Sequence, residues 1–320
     1  MSERPEDIQK RLAGIDDIGQ VVGALRAIAA GQVGAVRAAV DAVDAYAGTI
    51  EQALVAATAG AGTATATATA GTATATATAA VASGADGASG ASGTGGTGGT
   101  GGASDAGNIA GAPGPSKGQG LLLVVGAGQG FSGAYATRLA ERARIAMRER
   151  PGLLVVGQRT LEILRADGLP ILWSEDLPSH PAAIPALASR VTDRLVGLST
   201  EHPGLVRAVV GDVEHHGAPV ERTLFPPPAI RPPAGAGGSR PLTTLPVADL
   251  VAGLLEEALF AAVVHALIQG LAAEAQARVE TMARAQRNMR TRRTEVERRY
   301  QQARQEQMTT EMIELVVSGL

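Results

Sequence analysis

The sequence predicts an α/β protein in which a long antiparallel coiled coil, made by the N- and C-terminal helices, carries a small α/β domain. Three observations predict it. Ile8, Ile15, Val22, Ala29, Val36, Val43 and Ile50 recur every seven residues near the start of the chain. Ile268, Ala275, Met282, Met289, Val296 and Ala303 do the same near its end. Between them, apolar runs of strand length alternate with helical stretches, the pattern of a layered sheet with mostly parallel strands. A heptad seam needs a partner, and two distant seams in one chain can satisfy each other.

Taken in order, residues 1–57 form the first unit, with one long helix over 6–57. Pro5 suits a helix start. A companion stripe of Ile18, Leu25, Ala39, Tyr46 and Ala53 flanks the seam, and Arg11 and Gln32 interrupt it. Gly14, Gly19, Gly23, Gly31 and Gly34 each cost about 1 kcal/mol of helix propensity relative to alanine. They either weaken the helix or let another backbone approach closely. Residues 58–118 are low in complexity, an Ala-Thr alternation giving way to Gly, Ser and Thr. They offer almost nothing apolar to bury and read as a disordered insert.

Residues 119–225 carry the α/β pattern. Leu121–Val125 is a buried strand, followed by a glycine-rich turn and a helix over 134–149. Leu153–Val156, Ile171–Trp173, Leu205–Val210 and Val220–Phe225 are further strands, with helices over 158–167 and 182–198 between them. The alternation is Rossmann-like. Residues 226–246 form a Pro/Gly-rich link, and residues 247–320 the C-terminal coiled-coil helix.

Composition narrows the chemistry. The 320 residues include no cysteine, which excludes thiol catalysis, disulfides and thiolate metal sites. The formal charge of -3 gives no general attraction to nucleic acid. Aromatic residues make up 2% of the chain, too few to stack bases or line a large ligand pocket. Residues 1–20 lack the apolar stretch of a secretory signal. No apolar run reaches the eighteen or so residues of a membrane span, so direct membrane insertion is not expected.

The candidate chemical motifs mostly read as structure. Gly126, Gly128 and Gly133 echo a dinucleotide fingerprint, but Phe131 stands where the third glycine belongs. No Lys-Ser or Lys-Thr follows, so a phosphate loop is absent as well. Ser132 lacks the flanking pattern of a nucleophile elbow, and His180 and His202 do not complete a triad. His215 and His216, beside Asp212 and Glu214, read as a solvated turn, because strand neighbours face opposite ways. His265 reads as packed. Glu256 and Glu257 favour the start of their helix rather than acid–base work. Nine arginines from Arg278 to Arg304 are diluted by Glu280, Glu295 and Glu297, which suits a coiled-coil flank facing acidic partners. No catalytic residue, cofactor or metal is expected.

The ends carry more than periodicity. Residues 11–38, beginning Arg11-Leu12-Ala13-Gly14-Ile15-Asp16-Asp17-Ile18, resemble the first helix of the gamma subunit of rotary F-type ATP synthases. Ala273-Glu274, Arg278, Met282, Ala285 and Asn288, then Tyr300 to Val316 with Arg304-Gln305, Thr309-Thr310-Glu311 and Glu314-Leu315-Val316, resemble the family's closing signature. Gly128-Gln129-Gly130-Phe131-Ser132-Gly133-Ala134-Tyr135 is similar to its Gly-Leu-Cys-Gly-Gly-Phe-Asn stretch. The departures are arginine where the family's first helix is lysine-rich, Gln129 where arginine is common, and the long insert; with them the resemblance implies an alternative ATPase branch of the family.

The resemblance implies a central rotary shaft, not catalytic by itself, that couples ion flow to ATP synthesis or hydrolysis in the catalytic head. It implies as partners the alpha and beta subunits, the epsilon subunit and the ring of c subunits, with no nucleic acid. It implies a peripheral place on the cytoplasmic face of the bacterial inner membrane. It further implies Arg26, Arg304, Gln305, Thr309 and Glu311 as partner contacts. A shaft-like scaffold that no longer couples is the alternative.

Overall fold

The computed structural model describes residues 4–58, 120–227 and 244–319. The low-complexity insert and most of the Pro/Gly-rich link lie outside the described residues.

Two helices dominate: α1, Pro5–Thr58, and α5, Val247–Ser318. They run antiparallel, with a register set by polar pairs along their length. Asp16 meets Arg293 at 2.7 Å, Arg26 meets Gln286 at 2.9 Å, Gln32 meets Arg278 at 2.9 Å and Asp44 meets His265 at 3.1 Å. The predicted seam of α1 is the face that packs: Ile8, Ala29, Val36 and Ile50 are buried, and Ile15, Val22 and Val43 half-buried.

One expectation for α1 is corrected, and one pair of alternatives is decided. In the companion stripe, Ile18 is 50% exposed and Tyr46 39%, because a helix with one partner has only one side to bury. The glycines also allow no close approach. An added Cβ would meet nothing within 4 Å at Gly14, Gly19, Gly31 or Gly34, and only the Gln286 amide at 4.0 Å from Gly23. Here they only lower helix propensity.

The sheet has five strands in the order β3-β2-β1-β4-β5: β1 Leu121–Val125, β2 Gly152–Val156, β3 Ile171–Glu175, β4 Val206–Asp212 and β5 Ala218–Phe225. The first four are mutually parallel and β5 joins β4 antiparallel. Crossovers are made by α2 (Tyr135–Ala146), α3 (Gln158–Ala166) and α4 (Ile184–Ser199). Strand periodicity splits the core. Leu122, Val124, Leu153 and Val155 pack under α2 and α3, and Leu121, Leu123, Val125, Leu154 and Val156 face α4 and α5. The second layer is completed by Leu259, Val263, Leu267, Ile268 and Leu271 of α5. The helix is shaft and domain wall at once.

That double duty explains a further correction. Both long helices contain an eighteen-residue window apolar enough to cross a membrane by length and composition, with mean hydropathy 1.2 in α1 and 1.9 in α5. In α5 the reason is burial, since it must present apolar residues to α1, α4 and the sheet around most of its circumference.

Candidate functional site

Two regions carry polar or exposed side chains that the packing leaves to be explained: the free end of α5, and the junction of shaft and domain.

The free end follows from the unequal helices. Pro5 lies eleven residues before Asp16, and eleven residues beyond Arg293 is Arg304, so α5 outruns the described part of α1 from about that point. Every described residue after Ala303 is exposed. Among them are Met308, Met312, Ile313, Leu315, Val316 and Val317, each between 58% and 72% exposed.

Four of the five predicted contact residues sit there together. Arg304 and Gln305 mark the root of the overhang. The Thr309 hydroxyl donates to the Gln305 carbonyl at 2.8 Å, and Glu311 accepts from the Gln307 amide at 2.8 Å. Arg26 is not among them. It donates to Gln286, eighteen residues below Arg304, which is about 27 Å along a helix.

The junction was missed in the sequence reading. The turn after β1 is tightly built. The Thr160 hydroxyl accepts from the Ala127 amide at 2.9 Å, and a Cβ at Gly126 would strike Thr160 at 2.3 Å. Phe131, at φ 64, is 66% exposed at the turn's apex. Into this turn reaches Glu274 of α5, 2% exposed. Its carboxylate accepts the Gly128 amide at 3.1 Å and the Gln129 amide at 2.8 Å.

Burial pushes the Glu274 carboxyl above the usual range, against the two amides and Arg278, which pull it down. Arg278, 8% exposed, donates to Glu274 at 2.8 Å, to the Gln32 side chain at 2.9 Å and to the Gly130 carbonyl at 3.3 Å. The turn lies where the strand order reverses, beside the C-terminal end of β1, the place where open α/β sheets take ligands. Two of its amides, the kind of donor that approaches a pyrophosphate elsewhere, already hold the chain's own carboxylate. The available signal was Gln32, a polar residue breaking an apolar seam, and an i,i+4 Glu–Arg pair in an alanine-rich run.

The histidines behave as read. His215 contacts Asp212 at 3.0 Å in the turn after β4, and His216 contacts Glu280 of α5 at 3.0 Å. Among the described residues no group of three or more His, Asp or Glu could hold a metal ion.

Residues 4–320 match the model of the ATP synthase family. No curated protein matches the chain. Among solved structures, the chain is similar to one from the OSCP/F1/c-ring assembly of the Euglena gracilis mitochondrial ATP synthase in rotational state 3. Identity is 13% and the TM-score 0.56, over 98% of this chain and 93% of that one. It is also similar to a chain of the rotor of the same organism's mitochondrial ATP synthase in rotational state 1. There identity is 12% and the TM-score 0.51, over 95% of this chain and 98% of the other.

Proposed function

The chain belongs to the gamma-subunit family of the ATP synthases, and from that premise we propose which of its residues do the family's work. It is the central rotary shaft of the membrane-associated complex, linking ion movement through the rotor ring to ATP synthesis or hydrolysis in the catalytic head.

One observation carries the reading of the residues: the bare apolar end of α5. Six large apolar side chains on a single unpaired helix are poorly suited to open water. They suit a ring of subunits that encloses the helix end and lets it turn. On this reading the tip enters the centre of the head. Arg304 and Gln305, with Thr309 and Glu311 one or two turns on, make the polar contacts at its root. A guanidinium offers several donors in a rigid fork, suited to carboxylates on a moving partner. Arg26, far below them, serves a separate contact. The α/β domain faces the rotor ring with the epsilon subunit, and the complex sits on the cytoplasmic face of the bacterial inner membrane.

The test is replacement of Arg304 and Gln305 together by alanine in the reconstituted complex. ATP-driven ion pumping should weaken more than assembly does. Unchanged rate and coupling would remove both residues from the contact surface.

A further inference from the structure

Shaft and α/β domain meet through two kinds of contact. One is apolar: Val263, Leu267, Ile268 and Leu271 of α5 form the cluster that includes Leu121, Leu123 and Val125. Such packing resists separation, although the force behind it is non-directional. The other is polar, and its buried, charged part is the Glu274–Arg278 pair. It joins α5 to the turn after β1 through the Gly128 and Gln129 amides and the Gly130 carbonyl, and to α1 through Gln32. Charge-assisted bonds of this kind are short and directional.

We propose that Glu274 and Arg278 are the torsional lock of this chain, positioning residues that hold the α/β domain at one angle about the two helices. Turning the domain then turns the shaft without slip. The inference rests on the shaft reading above.

Two features favour a lock over a simple stability role. A buried ion pair is a weak source of stability, because desolvation offsets most of its attraction. Apolar residues of similar size would serve packing as well in a stretch that otherwise reads Ala272, Ala273, Ala275, Gln276 and Ala277. The pair also spans three separate pieces, α1, α5 and the sheet's turn, from within one turn of α5. Among the described residues it is the ion pair with both partners buried, whereas the His216–Glu280 pair, which crosses directly from domain to shaft, is exposed.

The test has two arms. In the isolated full chain, Glu274→Gln should speed hydrogen exchange at the Gly128 and Gln129 amides by about ten-fold, the loss of one charged hydrogen bond. Leu122–Val124 in the middle of the sheet should keep wild-type protection. In the reconstituted complex, Glu274→Gln and Arg278→Met should assemble as wild type, yet move about two-fold fewer ions per ATP hydrolysed, or fewer still. Arg278→Lys, which keeps the charge and loses the fork, should fall between. The ratio is taken per ATP on purified complex that retains head and ring in wild-type proportion, so a merely structural loss of complex does not move it.

Should the buried variants fail to fold, Gln32→Ala leaves the pair in place and cuts only its reach to α1, and its ratio should still fall. Unchanged exchange, or wild-type ratios in every folded variant, overturns the proposal. A wild-type chain that neither assembles nor couples overturns the shaft reading instead, and the exchange arm then decides the lock alone.

Discussion

At the scale of single residues, glycine has opposite meanings in the two long helices. Gly270 of α5 lies against β1, where an added Cβ would strike Val125 at 2.3 Å. Gly270→Ala gains about 1 kcal/mol of helix propensity but overpacks a rigid core, at a cost of about 1–3 kcal/mol. The net should be a lower melting temperature. Gly31→Ala and Gly34→Ala meet nothing, so each should raise it. Thermal melts of the three variants check the contrast. His265, paired with Asp44 at the base of the shaft, gives a second test. Burial holds its pKa below the ordinary 6.5; Asp44 opposes that and Arg222 adds to it. A histidine with a lowered folded pKa binds fewer protons folded than unfolded. Its contribution is therefore complete above the unfolded value and lost as pH falls below it. Between about pH 7 and 5, wild type should lose stability more steeply than His265→Gln. That His265 is packed was legible locally, but the partners of these residues were not. Gly270 and Glu274 owe their roles to a turn some 145 residues away in sequence, and periodicity reports only neighbours on one element.

At the scale of elements, much was legible. The α1 seam at period seven is the face that packs, and the five strands fall within two or three residues of the runs that predicted them. Both signals come from burial on one side, which leaves a regular trace. The faulty stripe at Ile18 and Tyr46 shows the limit, since an apolar residue on a second face is no evidence that a second partner exists. In α5 the predicted seam is likewise buried at Ile268, Ala275 and Met282 and half-buried at Met289, Val296 and Ala303, but around Ile268 apolar residues surround the helix, so there the pattern did not tell which side met which neighbour. The register is now specific enough to measure. Spin labels at Val22 and Met289 should lie within about 20 Å, two interaxial spacings. A separation characteristic of unpaired helices would reject the antiparallel pair.

At the scale of the whole molecule, the overhang and the occupied turn make separate predictions. The isolated chain should associate with itself as concentration rises, through the bare Met308–Val317 end of α5. A chain ending at Gln307 should stay monomeric under the same sedimentation conditions. Calorimetry with magnesium and ATP should give no saturable low-micromolar binding to the full chain, because Glu274 holds two amides of the turn and no phosphate-loop lysine is present.

Because α5 is at once half of the shaft and one wall of the sheet's core, the order of synthesis matters. At about 5–20 residues per second, roughly 10–40 seconds separate the making of Thr58 from that of Val247. Throughout that interval α1 has no mate, and the Leu121–Leu123–Val125 face of the sheet has no lid from α5. Neither the shaft nor that face of the sheet can close early, although the face under α2 and α3 can. α5 completes the long-range contacts of the shaft and that side of the sheet's core, so a product that stops before Val247 loses both together rather than one of them.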